Sequence, residues 1–469
     1  MNPPAPNEFQ SRRIHMVGIG GAGMSGLAAM LLRHGARVSG SDARMSILLA
    51  KLASDGAKIT TQQRAESLPV DVELVVATAA VSDAHPEIAE ALRRGIPVLR
   101  YAEMLGLMMT RHHGVAISGT HGKSTTTAWT AFVLREAGLD PSFVVGAGVA
   151  QLGGGSGVGS GPHFIAEACE FAKSFLTLRP KLAAILNVEA DHLDYYRDLD
   201  EIRAAFGEFA GLVPPNGVLV LNGDDPNCRE LAANAAARVD TFGIDGDCNW
   251  NACGIRVENG FHAFTALRDG HELGRVRLGV AGRHNVMNGL AVMALATHCG
   301  VDWPTLQRVL GEFEGAKRRL ELKGAVNDVR VVDDYAHHPS EIRATLAAAR
   351  ERFAPRRLWC VFQPHQYSRT RQLLDEFASA FAAADEVVVP PIFAARDSEE
   401  DRRAVSAQAV AERIRGNGRS ARHIADFENI VDFLASEARP GDVVLTMGAG
   451  NIGKIADDLV QRLGGVLPG

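Results

Sequence analysis

The sequence predicts an α/β protein of three tandem domains, each built around a mostly parallel sheet. Three observations carry that expectation. Short apolar runs such as RIHMV, GVAIS, KLAAIL, GVLVL, LWCVF and DVVLTM alternate with longer helical stretches along almost the whole chain, the pattern of strand–helix–strand units. About fourteen such runs are too many for one compact sheet. Glycine-marked turns punctuate the chain at GIGGAGMSG (18–26), SGTHGKSTTT (118–127) and, at the end of a third alternation that begins after EGAKRRLE, GAGNIG (448–453). Boundaries near 109 and 315 follow, giving domains at 1–108, 109–314 and 315–469.

Bulk properties bound the partners. The chain has 469 residues, 46% apolar and 22% charged, with a net charge of −6. That balance favours neither a nucleic-acid nor a membrane-surface partner. Six cysteines are scattered without a C-x-x-C pair, which argues against a zinc ribbon and fits a reducing cytoplasm. The opening MNPPAPNEFQSRR is polar and proline-rich, without the apolar core of a signal peptide. A cytoplasmic protein is expected.

The first glycine turn follows the run Ile14–Val17 and precedes LAAMLLRHG. Gly18, Gly20 and Gly23 make G-x-G-x-x-G, with Gly21 inside it, between a strand and a helix. Such a Rossmann-like turn seats a pyrophosphate on a helix N-terminus. Asp42 stands at about the distance where an acid meets a ribose hydroxyl. Read alone, this end of the chain suggests a nicotinamide-dependent oxidoreductase.

The second turn carries more. GTHGKST, Gly119 to Thr125, lies between an apolar strand and a helix, as in a P-loop ATPase-type sheet. The backbone N–H groups of such a loop point inward and would cradle phosphate oxygens. Lys123 would reach the β/γ-phosphates and the Ser124 hydroxyl would ligate Mg²⁺. The strict Walker pattern wants a glycine where Ile117 stands, so the match is to a shorter version. Two later strand ends offer oxygen and nitrogen donors: Glu167 and Glu170 in HFIAEACE, and Asp191, His192 and Asp194 in NVEADHLD. In a parallel sheet they gather at the edge that carries the glycine loop.

Four further clusters are chemically dense. GRHNVMNG opens a helix with His284, Asn285 and Asn288, and amides at i and i+3 share a face that could read a purine edge. EGAKRRLE sets Lys317, Arg318 and Arg319 in a row, one of which could close over a phosphate. VVDDYAHHPSEI runs from a strand with Asp333, Asp334, His337 and His338 into a helix capped by Pro339-Ser340, and PHQYSRTR offers His365, Arg369 and Arg371. Together these look like a seat for a small zwitterion. The run GGGSGVGSG (153–161) is expected to be a mobile loop near a site.

The ordered set GIGGAGMSGLA, SGSD, GTHGKSTTT, EACE, NVEADHLD, GRHNVMNG, GAKRRLE, DDYAHHPSEI, FQPHQYSRTR and GAGNIG resembles the ATP-dependent Mur ligases of peptidoglycan synthesis. The resemblance spans residues 18 to 453 and implies three domains that take a UDP-substrate, ATP and an amino acid in turn. It implies ligation of L-alanine to the lactyl carboxylate of UDP-N-acetylmuramate, with ATP and Mg²⁺, by a monomer or weak dimer. Gly18, Gly20, Gly21, Gly23, Ser41 and Asp42 would hold the UDP-substrate. Gly119 to Thr125 would bind the ATP phosphates. Ser124 and Glu167 would ligate one Mg²⁺ and His192 a second. Asn285 and Asn288 would sit near adenine, and Arg319 and Asp334 would reach the γ-phosphate and the ribose. His337 and Arg369 would seat the amino acid, and His337 would serve as base. Lys123, Glu167, His192, Arg319 and His337 would be the catalytic set. Two positions depart from the family pattern. Ser124 often has threonine there, and Gln366 stands where many members have arginine. Competing readings are the oxidoreductase, a P-loop transporter ATPase, and a related ligase that adds a preformed peptide to the same sugar nucleotide.

Overall fold

The computed structural model describes residues 9–466. The opening residues 1–8 of the proline-rich stretch lie outside them. Three separate parallel-type sheets account for the α/β architecture. The first contains β1 (Arg13–Val17), β2 (Arg37–Ser41), β3 (Lys58–Thr60), β4 (Leu74–Ala77) and β5 (Val98–Arg100), in the order β3-β2-β1-β4-β5. All neighbours are parallel. The winding reverses beside β1, so the crevice outside its C-terminal end is the topological switch point. Gly18 to Gly23 occupy that crevice, and the helix Ala22–Arg33 leaves from it.

The second sheet runs β12-β11-β10-β6-β9-β7-β8. Its strands are β6 (His113–Ser118), β7 (Ser142–Val144), β8 (Ser156–Gly157), β9 (His163–Glu167), β10 (Leu182–Ile185), β11 (Val218–Asn222) and β12 (Arg238–Gly243). Strands β6 and β10 are buried almost throughout, as befits parallel strands covered on both faces. In register, Ile117 faces Glu167 on β9 and Ser118 faces Ile185 on β10. The three strands therefore end together, just before Gly119.

The run at 153–161 is more ordered than its composition suggests. Ser156–Gly157 pairs antiparallel with β7, Val145 N donates to Gly155 O, and Gly161 N donates to Asp140 O at 2.8 Å. A side chain at Gly159 or Gly161 would collide with the backbone of residues 139–141, so close packing, and not looseness, explains those glycines.

An antiparallel meander that strand–helix alternation does not foretell follows: β13 (Trp250–Glu258), β14 (Phe261–Arg268) and β15 (His271–Arg277). Its turns are Asn259-Gly260 and Asp269-Gly270, with positive φ at all four residues. These are the dipeptides that type I′ hairpins require, and they were the available signal.

The third sheet contains β16 (Glu321–Val326), β17 (Val329–Asp334), β18 (Leu358–Phe362), β19 (Glu386–Val389), β20 (Ser420–His423) and β21 (Val443–Met447), ordered β16-β17-β21-β18-β19-β20. Only β16 pairs antiparallel. Alternation along β18 serves two cores. Leu358, Cys360 and Phe362 join one cluster and Trp359 and Val361 the other, as the period of two requires. No helix of the described residues is long and apolar enough to cross a membrane. By compactness the described chain divides into two units, one of residues 1–188, 203–242 and 291–306, the other of 189–202, 243–290 and 307–469.

Candidate active site

The first glycine turn is shaped by its own neighbours. Gly18 has φ +75°, and a Cβ there would meet Thr78 Cγ2 at 2.5 Å. Gly21 is the N-cap of the helix Ala22–Arg33, whose first helical bond is Ser25 N to Gly21 O. The N–H groups of its first turn have no helical acceptor, an arrangement that suits an anion. Asp42 Oδ2 accepts from Gly20 N at 2.8 Å. The carboxylate therefore clamps the loop, which is a different use from the ribose contact the sequence suggested. Ser41 is also reassigned. It is fully buried, and its Oγ donates to Glu87. Glu87 in turn meets His15 Nε2 at 3.1 Å, and His15 Nδ1 meets Ser39 Oγ at 2.9 Å. This polar chain supports the loop from beneath, and Ser41 has no hydroxyl left to offer a ligand.

The second glycine turn is gripped by Asn187, a residue the sequence reading did not select. Thr120 N donates to Asn187 O at 3.0 Å, His121 N to Asn187 Oδ1 at 2.7 Å, and Asn187 Nδ2 to His121 O at 3.1 Å. Gly119 has φ +139°, and a Cβ there would lie 3.0 Å from Leu186 Cβ and 3.1 Å from the Asn187 amide nitrogen, so a side chain is disfavoured there. Gly122, at φ +83°, caps the helix Lys123–Glu136. Lys123 Nζ donates to Gly119 O at 2.6 Å and to Thr120 O at 3.0 Å, and pairs with Glu170 Oε2 at 2.9 Å. Burial alone would lower its pKa, but Glu170, Cys169 and Glu167 outweigh burial and hold it above its ordinary value. The ammonium is charged at any working pH. Ser124 Oγ lies 3.1 Å from Glu167 Oε1, and Glu167 Oε2 accepts from Gly146 N at 2.7 Å. The structure thus separates the two glutamates. Glu170 is the counter-ion of Lys123, while Glu167 and Ser124 form a pair of hard oxygen donors at a helix N-terminus, a set that fits Mg²⁺.

The remaining candidates lie in the second unit. His192 takes a left-handed backbone, φ +53°, and its N–H donates to Asp191 Oδ1. Asn285 and Asn288 are buried on the helix Arg283–His298 and joined to each other, Nδ2 to Oδ1, at 2.9 Å. Asn285 Nδ2 also donates to Ala281 O at 2.6 Å. In the run of three cations, Arg318 is internal. It reaches Asp333, Gly450 O and Gly448 O and so braces the GAGNIG turn. Arg319 lies over the Tyr335 ring, 5.2 Å from its centroid. Asp334 is 5% exposed, and its oxygens accept from Leu320 N at 2.6 Å and Ala336 N at 2.8 Å, which fixes the carboxylate while leaving further acceptor positions on both oxygens. Burial lifts its pKa to about 6, against the pull of Arg319 and those two amides.

The helix Pro339–Phe353 is capped by His338, one residue earlier than expected, with Pro339 at its first position. His337 Nδ1 meets Tyr335 O at 3.1 Å and Glu341 Oε2 at 3.3 Å. Burial depresses its pKa to about 4, with Glu341 opposing. Arg369 is 7% exposed and gives Nε and Nη2 to Asp191 Oδ1 at 3.0 and 2.7 Å. Burial would raise the Asp191 pKa, yet Arg369 and three histidines hold it well below the usual carboxylate range. Gln366 Nε2 points to Asp194 Oδ2 at 3.4 Å, and Arg396 binds the same oxygen at 2.9 Å. Arg396, absent from the sequence reading, thus stands close to the position where Gln366 replaces a guanidinium.

Three family models match in chain order: the Mur ligase family catalytic domain at 13–113, the Mur ligase middle domain at 117–296, and the Mur ligase glutamate ligase domain at 318–450. The UDP-N-acetylmuramate–L-alanine ligase of Acetivibrio thermocellus is 45% identical over 455 residues, 96% of each chain. The chain belongs to the Mur ligase family. A second relative of the same name, from Caldanaerobacter subterraneus subsp. tengcongensis, is 42% identical over 96% of this Mur ligase and 98% of its own length. Among solved structures, the UDP-N-acetylmuramate-alanine ligase of Thermotoga maritima superposes with a TM-score of 0.79 at 28% identity, covering 96% of this chain and 98% of that one. A murein peptide ligase from Psychrobacter arcticus gives 0.69 at 26% identity, covering 97% and 100%. The family accounts for both glycine turns together, which an oxidoreductase does not.

Proposed function

We propose that this Mur ligase joins L-alanine to the lactyl carboxylate of UDP-N-acetylmuramate, with ATP converted to ADP and phosphate, in the cytoplasmic synthesis of peptidoglycan precursor. The observation that carries the reading is the Lys123–Glu170 and Ser124–Glu167 arrangement behind a glycine loop, in a chain whose full-length relatives bear that name. We assign residues 1–108 to the UDP-substrate, 109–314 to ATP and 315–469 to the amino acid, in a monomer or weak dimer.

A carboxylate does not condense with an amine in water because its oxygen is a poor leaving group. The lactyl oxygen attacks the γ-phosphorus, the bond to the β-bridging oxygen breaks, and ADP departs. The alanine nitrogen then attacks the acyl carbon, the bond to the phosphate oxygen breaks, and the nitrogen loses a proton. Phosphoryl transfer needs positioning and charge neutralisation more than covalent help. Lys123 supplies a fixed positive charge, and Arg319 is the second cation assigned to the phosphates. Ser124 and Glu167 would hold one Mg²⁺ and His192 another. The metal, when bound, neutralises phosphate oxygens. His337 is better suited to accept a hydrogen bond from the ammonium than to remove its proton, because a pKa of about 4 makes it a weak base.

The deciding experiment is phosphate release from ATP and UDP-N-acetylmuramate, screened against amino acids and peptides. Release with L-alanine supports the reading, and release with a tripeptide but not L-alanine overturns it. With L-alanine omitted, hydroxylamine should trap an acyl hydroxamate.

Two further results are expected. Gly20→Ala puts a methyl carbon 2.8 Å from Asp42 Oδ2 and 3.3 Å from Leu49 Cδ1, so the clamp on the loop must open. By calorimetry, UDP-N-acetylmuramate should bind about tenfold more weakly while ATP affinity is unchanged, the size of one lost charge-assisted contact. The other concerns pH. His337 is neutral in the folded chain down to about pH 4, whereas an unfolded histidine protonates near 6.5. Its pKa is depressed on folding, so the unfolded state binds the extra proton. Stability is full above about pH 6.5 and falls as pH drops from there toward 4. Urea midpoints should fall less over this window in His337→Asn than in wild type, and identical slopes would remove His337 from the account.

A further inference from the structure

The third glycine of the first turn has an unusual neighbour. A Cβ at Gly23 would lie 2.5 Å from Tyr101 Oη and 2.7 Å from Tyr101 Cζ. The ring of Tyr101 therefore presses on the first turn of the helix Ala22–Arg33, the turn whose N–H groups suit an anion. Tyr101 is fixed from its own side because it opens the helix Tyr101–Met109 directly after β5, where Glu103 closes a capping box on Arg100. Its phenol is protonated at neutral pH, as an ordinary tyrosine is. Among the described residues no hydrogen bond engages it, although the ring is half-buried. A phenol held against a glycine N-terminus, with its proton unspent, is a donor set for an anionic oxygen.

We propose that Tyr101 is a substrate-positioning residue whose hydroxyl donates to an anionic oxygen of the sugar nucleotide, at the end of that ligand that faces the ATP loop. The inference rests on the functional reading above and deepens it. The donor is neutral, so it orients the anion without competing with Lys123 for charge. It also gives Gly23 a purpose specific to this chain: the glycine leaves room for a phenol, in addition to any room it leaves for phosphate. Ser156, whose Oγ would lie 2.4 Å from a Cβ at Gly26, repeats the contact one turn later but belongs to an edge strand that carries no other site residue.

The test is Tyr101→Phe, which keeps the ring on Gly23 and removes one oxygen, beside Tyr101→Leu, which removes the ring. In steady-state phosphate release, Tyr101→Phe should raise KM for UDP-N-acetylmuramate about tenfold, with KM for ATP and L-alanine within twofold of wild type and the thermal midpoint unchanged. Tyr101→Leu should add a loss of midpoint. Wild-type KM for the sugar nucleotide in Tyr101→Phe overturns the inference and leaves the functional reading standing. An equal rise in KM for ATP overturns it as well, since the hydroxyl would then serve the other nucleotide. Absence of wild-type turnover overturns both.

Discussion

Lys123→Ala should lower the rate of ADP formation by about 10² to 10³, the loss typical of removing one preorganised charge from a transition state. Two features make this the largest kinetic effect expected from a single side chain. The ammonium is fixed by Gly119 O, Thr120 O and Glu170, so it would meet the proposed phosphate already oriented. Its removal also leaves Glu170, 3% exposed, as a buried negative charge beside the site where phosphate charge accumulates. The double variant Lys123→Ala, Glu170→Gln should therefore recover part of the ATP affinity lost in the single variant, but not the rate. Single-turnover quench-flow with saturating ATP separates the two quantities. Near-wild-type chemistry in Lys123→Ala would falsify the assignment of this loop to the transferring phosphate.

The largest stability effect is expected at Arg369. Both it and Asp191 are 7% exposed and joined by two bonds to one carboxylate oxygen. Removing one partner of such a pair leaves an uncompensated buried charge, at about 3 to 5 kcal/mol. Arg369→Met should lose that much in urea denaturation. Arg369→Met with Asp191→Asn should regain most of it, because replacing both members of a buried pair is often neutral. A loss below about 1 kcal/mol in the single variant would show an exposed pair, for which that value is ordinary. The same geometry bears on the proposed alanine seat: Arg369 spends Nε and Nη2 on Asp191 and keeps Nη1, which lies 3.4 Å from His365 Nδ1.

The fold and the phosphate loop were legible because both are local. A buried strand announces itself by its own apolar run, and Gly119, Gly122, Lys123 and Ser124 lie within six residues. What was not legible shares one physical source. How a polar side chain is engaged depends on a partner that can be far away in sequence. Asp334, expected at the ribose, also accepts from Leu320 N and Ala336 N. Ser41 was assigned to the UDP-substrate, yet its hydroxyl donates to Glu87, 46 positions on. Asn187 looked like a strand end, yet it grips a loop 66 residues before it. The meander was missed for another reason. Strand β15 buries only Val276 fully, so it has almost no apolar periodicity, and its evidence lay in two turn dipeptides.

The close approach of Ser156 to Gly26 has a consequence for how occupancy of the first site could be sensed. The helix Ala22–Arg33 meets β8 at Gly26, where the Ser156 side chain lies against the helix backbone, and Arg33 Nη1 reaches Val158 O at 3.3 Å. Strand β8 is hydrogen-bonded to β7, and β7 to β9, which ends in Glu167. A shift of this helix on anion binding would therefore pass through two strands to Glu167, the carboxylate proposed to hold Mg²⁺. Residues 142–157 would then be a reporter, and slowed amide exchange there would register filling of the proposed sugar-nucleotide seat before any ATP is present.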